Sequence, residues 1–256
     1  MIAFREASWS EIQDLRRRCF PEDEIEKPHP SRCFVAEAEG RAVAHLGFIP
    51  QTYVIGGEEY AGALAVEAMT DPAYRKQGLF RRVAEFARDV IKSDYALSTA
   101  WQIRPAVLGA IIAAGWQPIL KAPVFVRPRL GVGGWGLQGP SRDEVLREYA
   151  HVRLAPDRFN APYYTTNAAC VTRETTLKQQ PTLAILDLNA KPVLPPTTAR
   201  LAAALMTWRH PLLPTLLRAG FLPSPYRFRF LVKVFDPRID AKRAKWALTW
   251  ADTDHL

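Results

Sequence analysis

The chain has 256 residues, 48% of them apolar, which is enough for one large core or two small ones and excludes a disordered chain. Its formal net charge of +8 suits an anionic ligand or nucleic acid, and it equally describes a generally basic surface. The three cysteines, Cys19, Cys33 and Cys170, are widely spaced with no Cys-x-x-Cys or His-x-x-x-His pair, so no metal site and a reducing compartment are expected.

Charges interrupt the opening Met-Ile-Ala-Phe-Arg-Glu at once, so it lacks a signal-peptide pattern. No apolar run is long enough to cross a bilayer, and a cytoplasmic protein without a membrane partner is expected. Ile2 to Glu6 reads as a strand. Ser8 or Ser10 is placed to cap a helix through about Cys19, which Pro21 ends. Arg32 to Ala38 and Arg41 to Ile55 read as a hairpin turning at Glu39-Gly40, and Gly56-Gly57 leads to a third strand, Tyr60 to Thr70. Gly78 to Lys92 is an amphipathic helix. Leu79, Val83, Ala87 and Val90 form its stripe, with Phe80, Phe86 and Ile91 alongside and Arg81, Arg82, Glu85, Arg88 and Asp89 on the wet side. Tyr95 to Trp101 is a strand, Pro105 to Ala114 a helix stopped by Gly115, and Ala122 to Arg127 another strand.

The segment from Val66 to Phe80 carries the strongest functional signal. A strand, a sharp turn and a helix start with Gly78 at the bend leave backbone N–H groups pointing one way, a nest for phosphate oxygens. Arg75 and Lys76 add positive charge, so a pyrophosphate-bearing ligand is the first expectation.

Arg75 and Gly78 also match the first two marked positions of the acyl-CoA loop of the GNAT acyltransferases, Arg or Gln, two residues, Gly, one residue, then Gly or Ala. Phe80 departs at the third. The element order through residue 130 resembles that family, strand, helix, three meandering strands, helix, strand, helix, strand. The resemblance implies an α/β GNAT fold, a mixed, mostly antiparallel central sheet flanked by helices, with the strands around the central helix splayed for pantetheine. It implies acetyl-CoA as cosubstrate. Backbone donors at Gln77, Gly78, Leu79 and Phe80 would hold the pyrophosphate, and backbone near Met69 and Thr70 would polarise the thioester carbonyl.

The glycine-rich stretch 131–140 reads as a linker, so the expected domains are 1–130, the linker 131–140, and 141–256. Beyond the linker only Gly220 remains. Pro211 to Gly220-Phe221 repeats Pro105 to Gly115-Trp116, and strands near Phe125 and Phe230 follow at similar offsets, a faint internal repeat. It suggests a smaller, degenerate GNAT-like second half without an Arg-x-x-Gly loop, as in tandem GNAT proteins. The tail from Lys245 to Asp254 reads as a closing strand with an acidic, solvated end.

Acetyl transfer to an amine needs a base, a polarised carbonyl and a route for the thiolate. Glu67 is the candidate base, against the alternative of an outer-face or ion-paired carboxylate. The family's proton-donating tyrosine would fall at Ile111, which cannot donate. Trp101 and Arg104 are candidates to line the acceptor site. His45, alone among apolar residues, reads as a core histidine. The Leu256 carboxylate is a remoter candidate base, and the cysteines lack a basic partner for covalent catalysis. The expected function is N-acetylation of a small amine acceptor, an anionic, amino-sugar-like one included, with a homodimer allowed. The alternatives are a non-catalytic acyl-CoA sensor and a nucleic-acid-associated protein, for which no motif accompanies the basic run from Arg227 to Lys245.

Overall fold

A computed structural model describes residues 1–21, 29–102, 105–128, 146–154, 159–162, 164–166, 170–177, 179–188, 197 and 199–253. In chain order the first elements are β1 (Ile2–Ala7), a 3-10 turn (Ser10–Ile12), α1 (Gln13–Cys19), β2 (Arg32–Ala38), β3 (Arg41–Ile55), β4 (Glu58–Thr70) and a 3-10 turn (Pro72–Tyr74). There follow α2 (Leu79–Ile91), β5 (Leu97–Gln102), α3 (Pro105–Ala113) and β6 (Gln117–Pro128). The remainder is β7 (His151–Arg153), β8 (Thr165–Thr166), β9 (Cys170–Leu177), β10 (Gln180–Leu188), β11 (Leu201–Leu205), α4 (Leu213–Arg218), β12 (Leu222–Val234) and a 3-10 turn (Trp250–Asp252). No helix among the described residues is long and apolar enough to cross a membrane.

The linker expected at 131–140 lies outside the described residues. The chain forms two compact units, each assembled from separated segments. Unit 1 is Met1–Thr52, Tyr60–Leu120 and Arg229–Ala241; unit 2 is Tyr53–Glu59, Lys121–Phe228 and Lys242–Leu256.

In unit 1 the strands run in the order β1, β2, β3, β4, β5 and the end of β12. β1 and β2 are antiparallel from Ile2↔Ala38, and β2 turns back into β3 across Glu39 and Gly40, whose φ angles of 53° and 73° are those of a tight hairpin. β4 and β5 are parallel, and β5 is antiparallel to Arg229–Val234 of β12. The sheet is therefore mixed and mostly antiparallel. α2 covers one face with Leu79, Val83, Ala84, Ala87 and Ile91 against Phe34, Ala36, Leu46 and Phe48. Ala84 replaces Val90 in the expected stripe, because Val90 is only partly buried. α1 covers the other face, where Ile12 and Leu15 meet Cys33, Val35 and Met69. Neither Ser8 nor Ser10 caps α1. Glu11 instead reaches back to the Ser8 N–H at 2.7 Å and its hydroxyl at 2.9 Å.

In unit 2, β6, β11, β10, β9 and β8 lie side by side. β10 and β11 are parallel over Thr182↔Leu201 to Ile185↔Ala204, and β11 is antiparallel to β6. This repeats unit 1, where β4 and β5 are parallel over Gly62↔Leu97 to Ala65↔Ala100 and β5 has an antiparallel neighbour. α4 buries Leu213 and Leu216 with Phe125, Leu183 and Phe221. Gly115 and Gly220 stop the two helices in left-handed conformation, φ 103° and 83°. The strand after each glycine changes unit: residues 121–128 of β6 belong to unit 2 and residues 229–234 of β12 to unit 1. The tail is not a solvated strand. Trp246 to Thr253 is buried, and Asp252, 1% exposed, accepts the Thr249 N–H at 2.6 Å to cap the last turn.

Phe34 is fully buried between the rings of Phe48 and Phe86, at 5.8 and 6.0 Å between centroids. Phe34→Ala leaves a cavity and removes both edge contacts, with an expected loss of about 3–5 kcal/mol in urea unfolding.

Candidate functional site

The β4–α2 connection is set by its own side chains. Asp71 Oδ1 accepts the Ala73 N–H at 2.9 Å and folds Pro72–Tyr74 into a turn, while Arg18 of α1 donates to Asp71 Oδ2 at 2.7 Å. Burial alone would raise the Asp71 carboxyl, but the Ala73 N–H and the Arg18 guanidinium outweigh it and hold it below the usual carboxylate range. Lys76 and Gly78 then adopt left-handed φ angles of 63° and 71° on either side of Gln77. A Cβ on Gly78 would meet nothing within 4 Å, so glycine is needed there for its φ rather than for space.

That backbone leaves the N–H groups of Gln77, Gly78, Leu79 and Phe80 without an acceptor among the described residues, at the N-terminus of a 13-residue helix. The Phe80 ring packs against the core, so its bulk does not fill the nest. Lys76 is exposed beside it. Arg75 is exposed, its Nε donating to the Thr70 carbonyl at 3.2 Å, and its charge lies near Cys19. Burial raises the Cys19 thiol against that pull, and burial pushes Cys33 up to about 12, so neither is a thiolate nucleophile.

The strand leading into the nest loses one neighbour before it ends. β4 pairs with β5 only through Ala65↔Ala100, although β4 runs on to Thr70 and β5 to Gln102. β5 follows β12 to its end, at Gln102↔Arg229, and parts from β4. Glu67, two residues past the last pair, has φ 51°. A non-glycine residue held there costs about 1–2 kcal/mol, and its peptide leaves the ladder. The Glu67 carbonyl is met by His45 of β3, whose Nδ1 lies 2.7 Å away. A carbonyl only accepts, so Nδ1 carries the proton and the ring is the neutral Nδ1–H tautomer.

Glu67 is 8% exposed and faces α1, with Oε2 3.4 Å from the Arg16 Nε. The sequence left this carboxylate between base and ion-pair partner, and the structure shows the ion pair. Met69 faces the same way, into the α1 cluster. Trp101 is packed against Phe230 at 5.0 Å and is 2% exposed, which makes it part of the core rather than an open lining. Arg104 and Leu256 lie outside the described residues. Ile111 is 0% exposed and belongs to the core shared with α2, so a side chain there does not face a cleft. The sequence missed Arg16, Arg18 and the bond made by His45. All three act across strands or between α1 and the sheet, and no local pattern marks such contacts.

Residues 2–111 match the family described as an acetyltransferase (GNAT) domain. Three solved structures share the fold at low identity. A GCN5-related N-acetyltransferase from Anabaena variabilis has TM-score 0.61 and 12% identity over 92% of this chain and 73% of that one. A GCN5-related N-acetyltransferase from Kribbella flavida has TM-score 0.58 and 12% identity, over 92% and 72%. Eis1 from Mycobacterium abscessus has TM-score 0.57 and 11% identity, over 92% and 74%. No curated protein matches the chain.

Burial pushes His45 down from 6.5 to about 4, against the opposing bond to the Glu67 carbonyl. Its folded value lies below the unfolded one, so the unfolded chain takes up the proton first as pH falls. Stability is unaffected above about 6.5 and declines between there and about 4, by about 3 kcal/mol in all. His45→Asn keeps an N–H at the Nδ1 position without a titrating group. Urea unfolding of wild type and variant across that window should show the extra acid slope in the wild type only, with Arg16 and Glu67 present in both.

Proposed function

We propose that this chain, which carries a GNAT acetyltransferase domain over residues 2–111, is an acyl-CoA-dependent N-acyltransferase that moves an acetyl group to the amine of a small acceptor. One observation carries the reading: a nest of free N–H groups at Gln77–Phe80 follows directly on a strand whose pairing with its parallel neighbour stops at Ala65. The nest would take the pyrophosphate, with Lys76 adding charge. The open edge of β4 would pair with pantetheine, bringing the thioester carbonyl to backbone near Met69 and Thr70. Trp101 would support that wall from the core, and Arg104 stays a proposed acceptor ligand. The net charge of +8 favours an anionic acceptor, such as a nucleotide-linked amino sugar.

In the proposed reaction the acceptor nitrogen attacks the carbonyl carbon, the C–S bond breaks, and CoA leaves as a thiol or thiolate. Glu67 takes the proton released by the nitrogen, with Arg16 fixing its carboxylate. The second unit, which repeats the parallel pairing but holds no Arg-x-x-Gly, is read as a GNAT-like half without a CoA loop. The expected setting is cytoplasmic, with no metal and with a homodimer compatible.

A second reading, a non-catalytic acyl-CoA binding protein, is favoured by the core position of Ile111 and by the Arg16–Glu67 ion pair. Two measurements separate the cases. Gly78→Asp keeps a residue type that tolerates left-handed φ while adding negative charge to the nest. Calorimetry should show acetyl-CoA binding to wild type and its loss in the variant; no binding by folded wild type would reject both readings. In an amine screen, Glu67→Gln should lower kcat by about 10²–10⁴ with little change in KM for acetyl-CoA. A protein that binds acetyl-CoA yet acetylates no amine would leave the binding reading.

A further inference from the structure

We propose that His45 is a positioning residue for acyl-CoA: its Nδ1–H holds the Glu67 carbonyl out of the β4 ladder and so keeps β4 and β5 apart. The proposal rests on the acyl-CoA reading and names the group that maintains the cleft.

His45 is fully buried on β3, opposite Val35 of β2, on the face covered by α1. Trp9 lies edge-on to its ring at 6.4 Å, and Gly47 leaves room for Cε1, since a Cβ there would come within 3.1 Å. A leucine or methionine would suit such surroundings better for packing alone. The imidazole also leaves Nε2 buried without a hydrogen-bond partner. A buried polar atom in that condition is a cost, offset only if the other nitrogen does something the fold requires. Nδ1 does: it satisfies the carbonyl of the left-handed Glu67 with a side chain instead of a backbone N–H.

The consequence lies downstream of the bulge. Ala65 and Ala68 both face the α2 core, and Met69 faces α1. Two residues between Ala65 and Ala68, instead of the one a regular strand would have, keep that phase. With no donor at position 45, the carbonyl is best satisfied by returning to the ladder. β4 then advances by one residue, Met69 and Thr70 exchange faces, and pairing with β5 extends past Ala65. The nest, built by Asp71, Lys76 and Gly78, is independent of this change. His45 therefore governs the pantetheine half of the site and leaves the pyrophosphate half alone.

The test compares two ligands on three variants by calorimetry. ADP carries the pyrophosphate and reads the nest; acetyl-CoA reads the nest and the strand gap. His45→Asn presents an N–H where Nδ1 stood, His45→Gln presents its amide nearer Nε2, and His45→Leu presents none. Expected are acetyl-CoA affinity within about threefold of wild type for Asn and a loss of at least about tenfold for Gln and Leu, with ADP affinity within about twofold throughout. If the leucine variant does not fold, the contrast of Asn with Gln decides. Equal acetyl-CoA binding by Asn and Gln, or parallel loss of both ligands, would overturn the role of the Nδ1 donor. A wild type that binds neither ligand would reject the acyl-CoA reading itself, and this inference with it.

Discussion

Four pairs of residues, Gly62↔Leu97 to Ala65↔Ala100, are all that joins β4 to β5, and the functional half of unit 1 depends on where that pairing stops. Parallel strands offer evenly spaced, slanted bonds with no turn to fix their ends, so the ladder runs on unless something interrupts it. Here the interruption comes from both sides. β5 is committed to Arg229–Val234 of β12 along its whole length, and β4 is turned out of register at Glu67. Past that point β4 keeps β3 as its neighbour, since the Asp71 N–H still reaches the Val43 carbonyl at 2.9 Å. The gap is thus one-sided: a free edge on a strand that remains firmly held.

α1 ties this edge to the loop that follows. Arg16 and Arg18, two residues apart on one short helix, reach Glu67 at the bulge and Asp71 at the turn. Arg18 also donates to the Ala42 carbonyl and meets Asp14 within its own helix. Partly buried charges of this kind add little net stability, because desolvation consumes most of the attraction. Their effect is geometric. The two ion pairs hold the helix, the bulge and the turn as one arrangement.

The parts legible in the sequence were those written in neighbouring residues. The apolar run within Arg32–Ala38 and the turn at Glu39-Gly40 predict the hairpin because strand and turn preferences are local properties. The α2 stripe and the nest at Gly78 were legible for the same reason, one from helical spacing, the other from a glycine at a bend. Glu67 was picked out as a carboxylate, but nothing beside it announces a positive φ, and the donor that meets its carbonyl lies 22 positions away. The serine caps were misjudged because the Ser8 hydroxyl donates to Glu11 and so does not serve as acceptor for a helix N–H. The tail was misjudged because its aromatic and apolar residues are buried by distant segments, as when Trp246 meets Tyr53 at 6.3 Å. The return of Arg229–Ala241 to unit 1 was not legible, because unit membership is set by strand partners that no local composition records.

The change of unit after Gly115 and Gly220 bears on how the chain is made. Unit 1 contains Arg229–Ala241, so the strand that flanks β5 leaves the ribosome only after Lys121–Phe228 of unit 2 has been synthesised. Until then β5, whose residues are all buried in the finished fold, has an open edge. Domains commonly fold as they emerge, but unit 1 must wait for Arg229–Ala241, with a sticky strand exposed meanwhile. The arrangement that gives the first unit its last strand therefore makes the nascent chain a natural client for chaperones.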